Sequence, residues 1–99
     1  MVDAPRTATI RLPQALAEHA DGAREVAIEV GAGVSLATVL DDLGHVAPAV
    51  RRRIQDETGA IRRFVNVFVD ENECRTLDGL DTLVRPGCVI YVIPSVAGG

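Results

Sequence analysis

The residues best placed to do chemistry in this chain are its last two, Gly98-Gly99. They are carried on Pro94-Ser95-Val96-Ala97, directly after the apolar run Val89-Ile90-Tyr91-Val92-Ile93. Two glycines clear side chains from around the α-carboxylate and admit backbone angles closed to other residues. An arm of residues 94–99 reaches roughly 20 Å when extended. A carboxylate on so slender an arm can enter a narrow channel in another protein and be activated there. Unattached chain ends are also commonly mobile, so the dipeptide takes its meaning from whatever carries it.

The rest of the chain offers no competing centre. Gly31-x-Gly33 lacks the third glycine and the spacing of a dinucleotide site, and no Walker lysine is present. His19 and His45 do not stand at ligand spacing, and Cys74 and Cys88 form no C-x-x-C, so no metal site is expected. Ser95 has no base beside it. Asp41-Asp42 and Asp70-Glu71 fall on a helix surface and in a turn, whereas paired carboxylates do acid–base work in shielded clefts. The chain therefore reads as a non-enzyme without an intrinsic cofactor. A net charge of −4 argues against nucleic acid as a partner. Arg51-Arg52-Arg53 and Arg62-Arg63 read as solvated surface, with docking of an acidic partner as the second reading. All 10 basic residues are arginines, so the chain has no ε-amine on which to accept an isopeptide bond. No apolar run approaches the roughly 20 residues that cross a bilayer, and Met1-Val2-Asp3-Ala4-Pro5-Arg6 lacks a signal peptide's apolar core. A cytoplasmic location follows as the expectation, and there a disulfide between the two cysteines is disfavoured.

The elements that must position the tail are legible as periodicities. Residues 7–12 alternate, with Ala8, Ile10 and Leu12 on one face, and Pro13 ends them. Residues 14–24 contain the turn signal Asp21-Gly22 and read as a long connection with a turn of helix. Residues 25–30 alternate again, with Val26, Ile28 and Val30 facing the core, and the two segments can pair as a hairpin. Ser35 suits a helix N-cap, Leu36, Val39, Leu40 and Leu43 form an apolar stripe, and Gly44 is expected to stop the helix. A second helical piece starts at Pro48, carries Val50 and Ile54, and stops near Thr58-Gly59. Residues 61–69 read as the strongest strand, 70–73 as a polar turn, and 77–83 as a short irregular bridge. Residues 88–93 are the last strand, with neighbours expected on both sides.

The order is α+β: one main helix packed across a mixed four- to five-stranded sheet, with the first and last strands central and parallel. That is the β-grasp, or ubiquitin-like, arrangement. A ferredoxin-like split fold is the rival, but it needs a second long helix for which 77–83 is too short. Residues 1–93 are taken as the domain and 94–99 as a flexible tail.

Arg63-Phe64-Val65-Asn66-Val67-Phe68-Val69, the bridge Leu77-Asp78-Gly79-Leu80 and Val92-Ile93-Pro94-Ser95-Val96-Ala97-Gly98-Gly99 resemble the ubiquitin-like sulfur carriers of the MoaD/ThiS superfamily. The strand and the P-x-V-A-G-G end most resemble the CysO-type carriers of a cysteine-forming route. The resemblance implies that an E1-like adenylating enzyme/sulfurtransferase uses ATP to adenylate Gly99, after which sulfur displaces AMP to leave a thiocarboxylate. It implies that Pro94, Ser95, Val96, Ala97 and Gly98 thread the partner's active site. It further implies a sulfur-accepting synthase, a pyridoxal-phosphate (PLP) cysteine synthase in CysO-type routes, and a zinc peptidase of the JAMM type. Two other roles fit the same residues: the small subunit of molybdopterin synthase, and a ubiquitin-like protein modifier.

Docking needs a surface as well as a tail. Val65, Val67 and Val69 are expected inward, which leaves Phe68 with Tyr91 and Ile93 as an outward apolar patch. Strand parity alone also admits the reverse, with these side chains in the core.

Overall fold

Strand β1 (Thr7–Arg11) pairs antiparallel with β2 (Glu25–Glu29) in the register Ala8↔Ile28 and Ile10↔Val26 in the computed structural model, which describes residues 6–95. Between them Pro13 opens a single turn of helix, α1 (Gln14–Ala17), which buries Leu16 and Ala17. After β2 the chain turns through Gly33, whose φ of +143° is one that residues with side chains rarely adopt. A Cβ there would lie 3.1 Å from Leu83 Cδ1. The close approach lets β3 (Val34–Ser35) pair antiparallel with β6 (Leu83–Val84) as a separate two-stranded ribbon, which periodicity had not indicated.

Helix α2 (Leu36–Val46) begins where expected: the Thr38 amide donates to Ser35 Oγ at 3.2 Å. Leu36, Val39, Leu40 and Leu43 are all fully buried. Gly44 does not end the helix, which runs on to Val46 and gives way at Ala47 ahead of Pro48. The glycine serves packing instead: a Cβ at that position would stand 2.5 Å from Arg51 Cδ. The space lets α3 (Pro48–Ile54) close on α2, where Arg51 bonds Asp41 at 2.8 Å and Gln55 Oε1 at 3.0 Å. Helix α3 ends at Ile54, short of Thr58-Gly59. The Asp56 carboxylate accepts from the amides of Thr58 and Ala60 and from the Thr58 hydroxyl, and these local bonds compete with further helix.

Residues 61–69, expected as the strongest strand, yield a shorter one than their composition suggests. The Val65 amide donates to Arg62 O at 3.0 Å, and this turn confines β4 to Val65–Val69. At its far end Asp70 adopts φ +55°, donates its amide to Val89 O and accepts the Val89 amide on its carboxylate at 3.0 Å. Strand β5 (Asn72–Glu73), two 3-10 turns (Cys74–Thr76 and Gly79–Asp81) and β6 then lead to β7 (Val89–Pro94).

The main sheet runs β2-β1-β7-β4-β5. Strand β7 is central: parallel to β1 (Ile10↔Ile90) and antiparallel to β4 (Val67↔Val92). Ala8, Ile10, Val65, Val67, Val69, Ile90 and Val92 point to the helical side and share one core with Leu36, Leu40, Val50 and Ile54. This is the β-grasp arrangement, and no buried polar side-chain atom among the described residues lacks a partner.

Candidate functional site

Because β7 is hydrogen-bonded on both sides, it delivers the chain end from the middle of the sheet. Pro94 closes the ladder opposite Val65, and the Ser95 amide donates to Phe64 O at 2.6 Å. Strand β7 therefore takes in Pro94, and Ser95 is hydrogen-bonded just beyond it, although the sequence had placed both in the tail. Val96, Ala97, Gly98 and Gly99 lie outside the described residues.

Among the described residues no helix covers the outer face beside this exit. Valines 65, 67 and 69 face inward, so parity falls as expected and turns Phe64, Asn66 and Phe68 outward. Phe68 lies directly opposite Tyr91 and is half-buried; Asn66 lies opposite Ile93. Tyr91 keeps 37% of its surface exposed, Ile93 48% and Phe64 50%. The expected trio of Phe68, Tyr91 and Ile93 is thus one continuous outward patch. Phe64 belongs to it too, with the Arg63 guanidinium 5.6 Å above its ring. Its place on the Asn66 and Phe68 face of the strand was the sequence signal for it.

Polar groups frame the patch. Arg11, in register with Tyr91, sits 6.0 Å over that ring and pairs with Glu25 at 3.6 Å. On the other side Arg75 donates to Asn66 Oδ1, Glu73 Oε2 and Arg62 O, bracing β4 against β5. Arg11 could have been found from the outward parity of residues 7–12; nothing in the sequence marks Arg75 for its role. Of the expected arginine clusters, Arg51 and Arg53 are engaged on α3 and Arg62 donates to Arg52 O at 2.8 Å. These arginines serve local structure.

Both cysteines are free thiols. Burial pushes the Cys74 thiol up to about 11, helped by the neighbouring Glu73 carboxylate, and burial also raises Cys88. Neither has the lowered pKa of a sulfur nucleophile. The Cys74 shift has a consequence for stability. A thiol whose folded pKa exceeds its unfolded value of 9.0 holds its proton more tightly when folded. That contribution is complete below pH 9 and is lost as pH rises towards 11. Urea titrations at pH 8 and pH 10.5 are expected to show lower stability at the higher pH, with the loss reduced in Cys74→Ala. An equal loss in the variant would assign it to other groups. Among the described residues no group of three His, Cys, Asp or Glu side chains could hold a metal ion, and no helix is long and apolar enough to cross a membrane.

One main helix across a mixed sheet, with the first and last strands central and parallel, defines a ubiquitin-like β-grasp protein. The ThiS family profile matches residues 10–99. The chain belongs to the ThiS family. It is 31% identical to the sulfur carrier protein CysO of Mycobacterium tuberculosis, over 92% of this chain and 97% of that protein. A chain in the crystal structure of the Amycolatopsis orientalis BexX/CysO complex superposes with a TM-score of 0.80 at 28% identity, covering 93% of this chain and 99% of that one. The solution structure of small archaeal modifier protein 1 from Methanosarcina acetivorans gives a TM-score of 0.76 at 28% identity, over 94% and 96% of the two chains.

Proposed function

We propose that this protein carries sulfur as a thiocarboxylate on Gly99 and donates it in the biosynthesis of cysteine or a related sulfur-containing metabolite. The observation that carries the reading is the family match, which runs to residue 99 and so includes the Gly-Gly end. The likeness to CysO over nearly the whole chain supports the cysteine branch. A partner adenylating enzyme would join the Gly99 carboxylate to AMP from ATP, releasing pyrophosphate and converting a poor electrophile into an acyl phosphate anhydride. A sulfur donor then displaces AMP. The thiocarboxylate sulfur is ionised near neutral pH, so it needs no activating base of the kind a serine nucleophile requires. Docking of the folded domain replaces a dilute encounter with a held one. A pyridoxal-phosphate synthase is the proposed acceptor. A zinc peptidase would then release the product and restore Gly99.

The test is intact mass spectrometry after incubation with ATP, a sulfide source and adenylating enzymes of the ThiS-partner class. The expected product is heavier by the difference between one sulfur and one oxygen, and the change maps to the C-terminal peptide. An unchanged terminus with every such enzyme would overturn the proposal. The likeness to small archaeal modifier protein 1 favours a second reading, in which Gly99 is joined to lysines of other proteins. Since this chain has no lysine, such conjugates could not extend through its own ε-amines.

A further inference from the structure

We propose that a groove at the tail-exit end of β1 and β7 receives an acidic side chain, borne on an apolar segment, of the protein that takes up the chain end. The identity of that protein rests on the carrier reading; the chemistry of the groove does not. The groove has a volume of about 630 Å³ and lies between Arg11, Pro13 and Arg24 on one side and Tyr91 and Ile93 on the other. Ile93 is two residues before Ser95, so a protein that grips the departing chain stands over this groove.

Four of the eight other arginines, Arg51, Arg53, Arg62 and Arg75, donate to acceptors of the chain's own turns and helices. Arg24 donates only Nε, to Leu12 O at 3.1 Å, which pins its side chain at the sheet end. Its two terminal nitrogens meet no acceptor among the described residues. Arg11 has one ion pair, with Glu25 at 3.6 Å, and both side chains are more than half exposed, so water screens that contact. Both arginines line one groove with apolar residues, and a guanidinium can give a carboxylate two parallel N–H bonds, which it accepts more strongly than a neutral acceptor would. The Tyr91, Ile93 and Pro13 surfaces suit the methylenes and apolar neighbours of a peptide acid better than the hydrated shell of a free phosphate. In a chain of net charge −4 a local basic groove also selects its partner by complementarity.

The first test uses the full chain labelled with ¹⁵N and a capped Leu-Asp-Glu-Leu peptide. Shifts are expected at the Nε–H of Arg11 and Arg24 and at the Tyr91 and Ile93 amides. They should be weakened by salt and be absent with the Leu-Asn-Gln-Leu analogue. Equal response to the neutral analogue or to inorganic phosphate, or shifts centred on residues 51–53, would overturn the proposal. The second test uses the enzyme that modifies Gly99. Arg11→Gln and Arg24→Gln should each raise KM about tenfold with kcat retained, and Glu25→Gln, which frees Arg11, should lower it. The Arg11 side chain bonds no backbone atom, so its variant tests the groove even where Arg24→Gln disturbs folding. Unchanged KM with a wild-type chain that is still modified would refute the groove and leave the carrier reading intact. A wild-type chain that no enzyme modifies would refute the carrier reading, and the peptide titration alone then decides the groove.

Discussion

Replacing Leu40 with alanine is expected to lower the free energy of unfolding by about 3 kcal/mol and the thermal midpoint by about 15 °C. Leu40 is fully buried in the middle of the α2 stripe, with Leu36, Val39 and Leu43 at the same level of burial. Helix α2 is the longest helix among the described residues and covers the inward face of the sheet. Truncation removes the methyl groups of one side chain and leaves a void that a β-sheet on one side and α3 on the other cannot readily close. Domains of this size are stable by only about 5–15 kcal/mol, so the loss is a large fraction of the total. The chain has no tryptophan, and circular dichroism through a urea titration is the suitable measurement. Asp42→Ala, on the exposed face, should change stability by less than about 0.5 kcal/mol. A loss below about 1 kcal/mol for Leu40→Ala would mean that the helix–sheet contact is not the main source of stability.

Changing Gly98 to valine is expected to cut formation of the Gly99 thiocarboxylate at least about a hundredfold while leaving the melting temperature unchanged. Under the carrier proposal the carboxylate must reach the α-phosphorus of ATP inside another protein. A branched side chain next to it both widens the arm and restricts φ and ψ. A misplacement of about 1 Å at a reacting atom is enough for a loss of this order. Single-turnover modification followed by intact mass, alongside a thermal melt, separates the two effects. Valine tolerated at position 98 would argue against a narrow channel, and a lowered melting temperature would show that the end packs on the domain.

Much of this architecture was legible because it depends on burial with a fixed period. The stripe at Leu36, Val39, Leu40 and Leu43, the Ser35 cap and the alternation of β1, β2 and β4 each follow from one face meeting the core. The deviations share a different cause. Gly44 looks like a helix stop in sequence but is a contact point, because Arg51 passes over it, and a one-dimensional pattern carries no record of a neighbour 7 residues away. Residues 61–64 continue the β-strand composition of 65–69 only through Ile61 and Phe64, and the chain turns at Arg62–Val65, closed by one backbone bond. The β3–β6 ribbon is too short to show alternation. Pro94, a residue that lacks an amide to donate, nevertheless ends β7 opposite Val65, since strand ends tolerate proline. At the site, the apolar patch followed from parity, whereas Arg24 gained its place only through the Leu12 carbonyl. The arginine runs that stand out in sequence are mostly bound up in local structure, and the dispersed pair at positions 11 and 24 frames the groove.

The position of β7 also bears on what happens when the chain end is pulled. A traction applied beyond Ser95 runs along the strand axis, across the parallel ladder to β1 and the antiparallel ladder to β4 together. Both ladders are loaded in shear, so their bonds resist as a set; a strand at the edge would peel away one bond at a time. Under the carrier proposal, an enzyme that draws on the chain end would not unravel the sheet that holds it.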